Sequence, residues 1–328
     1  MNFKKFVKDN YKFLLFMFFV VVFFYLPLPY YVMAPGGIID VTDRVEMDDY
    51  EVPNKGSLNM LYVSEYDATP AYMFYSLINS NWDVFKNEKR QISNESISDV
   101  NARNKIMRDN SLDTAIMVAY KEAGKSINIK EEKNVVIATT MDNGLKVGDV
   151  ILEVDGNLDT KVENVKKIIN AKEEGEYVTF KVKRGNDIIE VNSRIVIENN
   201  TKIIGVMIIA EYDYDIDPEI DVKFKNSESG SSGGLMLTLT IYNAISDEDI
   251  IKGRNIAGTG TISSDGSVGV IDGIKYKLMG AVKNNMDIVF VPSGNYEEAI
   301  SVKDKYNYNI EIVRVDTFDE AISYLKNN

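Results

Sequence analysis

No charge interrupts the chain between Lys12 and Asp40, in a sequence where charged residues make up 27% of the whole. Phe13 to Leu26 is continuously apolar or aromatic, and Leu28 to Met33 stays largely so. Such a run has to leave water. As helix, Phe13 to Leu26 covers about 21 Å of a hydrocarbon core about 30 Å thick, and Pro27 to Met33 makes up the difference. The sequence therefore predicts a transmembrane anchor over residues 13–33. Pro27 and Pro29 should break the helix near the outer interface, where Tyr25, Tyr30 and Tyr31 suit an aromatic belt. Lys4, Lys5, Lys8 and Lys12 predict a cytoplasmic tail over residues 1–12 and a body outside the cell. Val32-Met33-Ala34 has the look of a signal-peptidase site, but Pro35 disfavours cleavage, so the span reads as an uncleaved single-pass anchor of the cell membrane.

The formal charge is −13; the first twelve residues carry +3, which leaves −16 for the rest. An acidic body has no electrostatic reason to bind nucleic acid. There is no histidine and no cysteine. This excludes disulfides, thiol nucleophiles and a Ser-His-Asp triad, and argues against a zinc site. No metal or cofactor is called for.

Residues 35–125 read as an extracytoplasmic region of mixed structure. Ser57 to Ser64 is a predicted strand, Pro70 to Phe85 a helix with Ala71, Phe74, Leu77 and Ile78 inward, and Asn101 to Gly124 a longer helix with Ile106, Ala115, Val118 and Ala119 inward. Ala119 to Ser126 formally fits a relaxed phosphate-loop pattern. Its place at the tail of an amphipathic helix, with Tyr120 and Glu122 in the supposed cradle, makes Gly124 a helix end instead. No nucleotide is expected to bind, so ATP-driven unfolding is not expected either.

Residues 126–198 resemble a PDZ domain. Gly144-Leu145-Lys146-Val147-Gly148-Asp149-Val150-Ile151-Leu152-Glu153-Val154-Asp155-Gly156 matches the core motif of such domains, with Val135 to Ala138 as a strand before it. Val165 to Ile169 should be helical, and a hairpin should turn at Gly185-Asn186. The resemblance implies a groove that adds a peptide as an extra strand. The connection from Thr139 to Asn143 is shorter than usual for the family, which leaves carboxylate capture open.

Gly230-Ser231-Ser232-Gly233-Gly234 precedes an apolar run from Leu235 to Tyr242. A serine between glycines ahead of a hydrophobic element is a way to present a nucleophile, and without histidine or cysteine its remaining well-known partner is lysine. With Thr259-Gly260 and Asp272-Gly273-Ile274-Lys275-Tyr276-Lys277-Leu278, residues 199–328 resemble the proteolytic domain of Lon-type peptidases. Ser231, Gly233 and Asp272 stand where that family usually has proline, alanine and glycine. Taken with the anchor and the PDZ-like stretch, the chain resembles the membrane-anchored PDZ-Lon peptidases of Gram-positive bacteria. The expected fold class is α+β: a transmembrane helix, a PDZ-like β-rich domain and a Lon-type α+β domain. In this last region Ile203 to Ile209, Ile220 to Lys225, Ile256 to Ile262, Val268 to Ile271, Ile288 to Val291 and Ile310 to Val315 read as strands. Ile274 to Val282 and the segment after Thr317 read as helices. Leu235 to Tyr242 alternates as a strand would, whereas the resemblance implies a helix behind the serine.

The resemblance implies Ser232 as nucleophile, Lys277 as base and Thr259 as the residue that orients the lysine. Helical spacing agrees: Ile274, Lys277, Leu278 and Ala281 share one face, which puts Lys277 on the buried side and Lys275 in solvent. The implied activity is ATP-independent serine endopeptidase action on peptides or loosely folded proteins outside the membrane; an oligomer is compatible with the sequence. The other reading is a catalytically inactive, membrane-tethered PDZ scaffold.

Overall fold

The structure is a computed structural model that describes residues 3–48, 55–93, 95–246 and 248–328. Helix α1 (Phe3–Tyr25) ends where Pro27 and Pro29 remove two amide donors. Strand β1 (Tyr30–Asp40) follows and pairs antiparallel with β2 (Ser57–Asp67) on one side and β3 (Asp83–Lys86) on the other. Tyr31, Val32, Met33 and Ala34 are buried in this sheet. The expected anchor over 13–33 is corrected accordingly: residues 30–33 belong to an interior strand of the sheet and cannot lengthen the helix. Among the described residues no helix is long and apolar enough to cross a membrane.

Helix α2 (Pro70–Ile78) opens on Thr69, whose side chain accepts from the Tyr72 amide, and stops at Asn79 rather than running to Phe85. The remainder of the predicted helix is β3. None of the α2 side chains is buried, so Phe74, Leu77 and Ile78 do not face a core as their spacing suggested. Helix α3 (Ile97–Glu122) starts at a Ser96–Asp99 capping box and buries Ala115, Val118 and Ala119. At its end the Lys125 amide donates to the Tyr120 carbonyl and Gly124 is left-handed at φ 64°. The pseudo phosphate loop is thus a helix terminus with its amides in use.

The PDZ-like unit has strands β4 (Ser126–Thr139), β5 (Val150–Val154), β6 (Tyr177–Arg184), β7 (Asp187–Arg194) and β8 (Val206–Asp217), with helix α4 (Val162–Ala171) against them. They form an antiparallel sheet in the order β8-β4-β5-β6-β7 over a core that includes Val136, Val154, Phe180 and Val182. Asp149 of the sequence motif is buried and bonds Arg184 through both carboxylate oxygens, at 2.7 Å each. The short connection after β4 closes on Asn143, which donates to the carbonyls of Ile204 and Gly205. Strands β4 and β8 outrun this core: Ile127, Tyr214 and Ile216 pack against the larger core of the molecule.

The rest comprises α5 (Gly234–Ile245), β9 (Asn255–Gly258), α6 (Ile274–Lys283), β10 (Ile288–Pro292), α7 (Ser293–Tyr306), β11 (Glu311–Val315) and α8 (Phe318–Asn327). One six-stranded sheet runs β11-β10-β9-β2-β1-β3; β2, β9, β10 and β11 are parallel neighbours. Both faces are covered, and β10, inside the parallel part, is apolar and buried along its whole length. Leu58, Ile256 and Phe290 meet α3, α5 and α8, whereas Leu61, Ala257 and Val289 meet α6 and α7. Helix α7 had no counterpart in the sequence reading, because it buries only Asn295, Ala299 and Val302, too thin a stripe to stand out.

The strands of residues 30–86 therefore sit in the same sheet as those of residues 255–315. A fragment of residues 199–328 would leave β9 without its β2 neighbour and α5 without α3. We expect it to show no cooperative thermal melt and a flat near-ultraviolet circular dichroism spectrum, where residues 30–328 melt as a unit; a cooperative melt of the short fragment would refute this.

Candidate active site

Helix α5 is buried on all sides, from Gly234 through Tyr242. That resolves the ambiguity of its sequence: a helix apolar all round carries no stripe, and an alternation within it is accidental. Thr238 and Thr240 fit this core because their hydroxyls donate to the Gly234 and Met236 carbonyls one turn back, at 2.8 and 2.7 Å. Gly234 is required where it stands, since a Cβ there would lie 2.8 Å from the Ile262 backbone nitrogen. At Gly233 a Cβ would meet Met60 Sδ at 2.3 Å, so an alanine there would require the Met60 side chain to move.

Ser232 lies just before this helix and is half-buried. Its carbonyl accepts two hydrogen bonds, from the Gly260 amide at 2.8 Å and from Thr259 Oγ1 at 3.0 Å. The Leu235 amide donates to the Gly260 carbonyl in return, at 3.1 Å. The end of β9 thus straps the loop in place. Among the described residues, the amides of Ser232 and Gly233 donate to no protein group.

Thr259 is fully buried and also accepts from Lys277 Nζ at 2.9 Å. The hydroxyl has one proton, and the Ser232 carbonyl takes it. Lys277 must therefore be the donor to Thr259, which fixes where one of its N–H bonds points. Lys277 is 3% exposed on α6, with Ile274, Leu278 and Ala281 buried beside it. Burial pulls its pKa down from the ordinary lysine value to about 7, and the negative charge of Asp272 opposes this. The structure thus brings Ser232, Thr259 and Lys277 together through two hydrogen bonds.

Lys275 is not solvated as the sequence suggested. Its Nζ pairs with Asp83 at 2.5 Å, and the Tyr276 hydroxyl bonds the same carboxylate. Asp83 comes from β3, within the stretch whose sequence predicts a helix, so the sequence carries no sign of this pair.

Helix α3 contributes support that the sequence reading took for core alone. The Gly230 amide donates to the Asn104 carbonyl at 2.8 Å, Ser111 Oγ donates to the Ser231 carbonyl at 3.3 Å, and Arg108 donates to the Glu228 carbonyl at 2.9 Å. A buried serine in mid-helix, Ser111, was the one available clue.

Comparison with known families agrees with this architecture. Residues 224–327 match the Lon protease (S16) C-terminal proteolytic domain, and residues 118–195 match the PDZ domain. Over 98 residues, 30% of this chain, the sequence is 32% identical to Lon protease of Mesomycoplasma hyopneumoniae and likewise to Lon protease of Campylobacter jejuni. The match spans 11% and 12% of those proteins, so the chain covers about a tenth of their length. The solved PDZ domain of an SdrC-like protein from Listeria monocytogenes is 22% identical, covering 25% of this chain and 93% of that one, with a TM-score of 0.23. The chain thus carries a Lon protease proteolytic domain and a PDZ domain, and the former supports a serine peptidase.

The pKa of Lys277 has a consequence for stability. A lysine depressed to about 7 when folded and ordinary when unfolded leaves the unfolded chain with more bound protons between these values, so stability rises with pH across that window. Lys277→Met removes the buried amine. The variant should be more resistant to urea than the parent at pH 6, and the difference should shrink as pH rises through 8 and 9. A difference that stays constant with pH would mean that Lys277 keeps an ordinary pKa.

Proposed function

We propose that this protein is an ATP-independent serine endopeptidase with a Ser232–Lys277 dyad oriented by Thr259. The observation that carries the reading is the buried contact of Lys277 Nζ with Thr259, whose own hydroxyl holds the Ser232 carbonyl. A neutral amine has two N–H bonds and one lone pair. With one N–H committed to Thr259, the lone pair remains for the Ser232 proton. Ser232 Oγ attacks the substrate carbonyl carbon as its proton passes to Lys277. The amides of Ser232 and Gly233, at the positive end of α5, stabilise the oxyanion. Collapse breaks the C–N bond, the Lys277 ammonium protonates the leaving amine, and water then releases the acyl group by the same route.

The PDZ-like unit positions peptide or loosely folded protein substrates. Strand β8 is an edge of its sheet, which suits β-strand addition. Helix α1 anchors the chain in the cell membrane with the body on the extracytoplasmic side, its apolar part from Phe13 to Tyr25 being shorter than an undeformed hydrocarbon core, so that the bilayer thins around it. Phe13, Phe16, Phe18, Phe19 and Phe24 are exposed around it, a surface that only lipid or protein can cover, and Lys8 and Lys12 precede the apolar part. In the alternative reading, the inactive scaffold, Asp272 and Ser231 are the disabling changes. The opposing facts are that Asp272 leaves Lys277 near neutrality and that the Ser231 carbonyl is held by Ser111.

Hydrolysis of an unstructured peptide, without ATP and across pH, is the test. The parent should show a rising limb with an apparent pKa near 7 that belongs to the pair. Ser232→Ala and Lys277→Ala should each lose about a thousandfold or more in kcat/KM, and the double variant no more than either. Lys275→Ala should keep most activity. Full activity in Ser232→Ala would end the peptidase reading, and an inert parent would favour the scaffold.

A further inference from the structure

Helix α2 is a short element with an unusual surface. It buries none of its side chains, and Phe74, Leu77 and Ile78 are 58%, 82% and 71% exposed. No charged residue occurs from Ala68 to Trp82, although the chain as a whole is 27% charged. Tyr72 and Tyr75 of the helix form one aromatic cluster with Tyr66 and Trp82, the Trp82 ring lying 5.6 Å from Tyr66, 5.8 Å from Tyr72 and 4.6 Å from Tyr75.

This surface is continuous with α1. The Phe23 and Phe74 rings are 6.5 Å apart, and an open apolar cleft of about 350 Å³ lies between the helices, lined by Phe19, Val20, Val22, Phe23, Phe24 and Pro70. The apolar part of α1, Phe13 to Tyr25, measures about 20 Å at 1.5 Å per residue. A bilayer core of about 30 Å is longer than that, and the strand that follows cannot extend the helix. A short span is accommodated by thinning the bilayer and by drawing flanking parts of the protein into the interface. The flanking part on this side is α2.

We propose that α2 and its aromatic cluster form a second membrane contact, an interfacial helix lying in the headgroup layer beside the point where α1 enters the hydrocarbon. The inference rests on the membrane-anchored reading above and deepens it. Leu77, Ile78 and Phe74 insert among the upper acyl chains, and the cleft against α1 admits part of one. The Trp82 and tyrosine rings, apolar in body and polar at one edge, suit the boundary layer. With two contacts the body cannot swivel about α1, and the end of the sheet formed by β1 and β3 is held against the lipid surface.

Trp82 is the only tryptophan in the chain and reports on this face directly. The full chain is reconstituted in phosphatidylethanolamine–phosphatidylglycerol vesicles in which one lipid is brominated at a known depth. Trp82 emission should fall at least twofold with bromine near the headgroup end of the acyl chain, and less with bromine near its terminus. The Leu77→Asn, Ile78→Asn double variant should still float with vesicles through α1 but lose most of that quenching. Vesicle-bound chain with unquenched Trp82 would overturn the proposal, and the face would then cover a protein or a second copy. Equal quenching in the variant would overturn it too. Quenching without peptide hydrolysis would uphold the contact and sink the peptidase reading. Hydrolysis without flotation would do the reverse, and would remove the anchored reading with it.

Discussion

The candidate site depends on the exclusion of water from Lys277. A lysine in solvent holds its proton near neutral pH and can accept none, so the amine is useful as a base only where hydration of its charged form is denied. Here the apolar neighbours on α6, the sheet beneath and the loop ahead of α5 supply that denial, and Thr259 gives the amine one fixed hydrogen bond. The rest of the fold can be understood as the enclosure of this side chain. Strand β9 brings Thr259, the loop before α5 brings Ser232, and α6 brings the lysine, each from a different part of the sheet's surroundings.

The enclosure is not the work of the C-terminal residues alone. Strands β1, β2 and β3 complete the sheet from the N-terminal side, and α3 holds the loop around Ser232 through Asn104, Arg108 and Ser111. The family match begins at residue 224, so these supports lie outside it. The same α3 reaches the PDZ-like sheet, where Asn110 donates to the Ala210 carbonyl and Asp113 accepts from the Tyr214 hydroxyl. The residues on either side of one turn of helix thus touch the edge strand β8 and the loop around Ser232, a short mechanical path between the two units.

The residues of the candidate site stand out in the sequence. Ser232, Thr259 and Lys277 were picked out by motif, and the face of α6 by helical spacing, because side chains three and four apart must share a side of a helix whatever it packs against. The PDZ-like hairpin and Asp149 were legible for a similar reason, since turns and motif positions are local. The pairing of Lys275 is not legible because its partner, Asp83, is 192 residues away and belongs to a four-residue edge strand that the sequence runs together with the helix before it. Periodicity also failed for α5, where burial on every side leaves no stripe to read.

The apolar run at the N-terminus shows where the division falls. The sequence by itself determined that Phe13 to Tyr25 must be withdrawn from water and that the prolines would end its helix, because hydrophobicity and the missing amide of proline are properties of the residues themselves. It also excluded a Ser-His-Asp triad and a thiol nucleophile, since the chain has no histidine or cysteine. Only the tertiary structure decided that Tyr30 to Met33 is the start of an interior strand, and that Lys277 is dry while Lys275 is paired. Strand pairing and desolvation are set by which distant segments come to lie alongside, and neither is a property of any one stretch of chain.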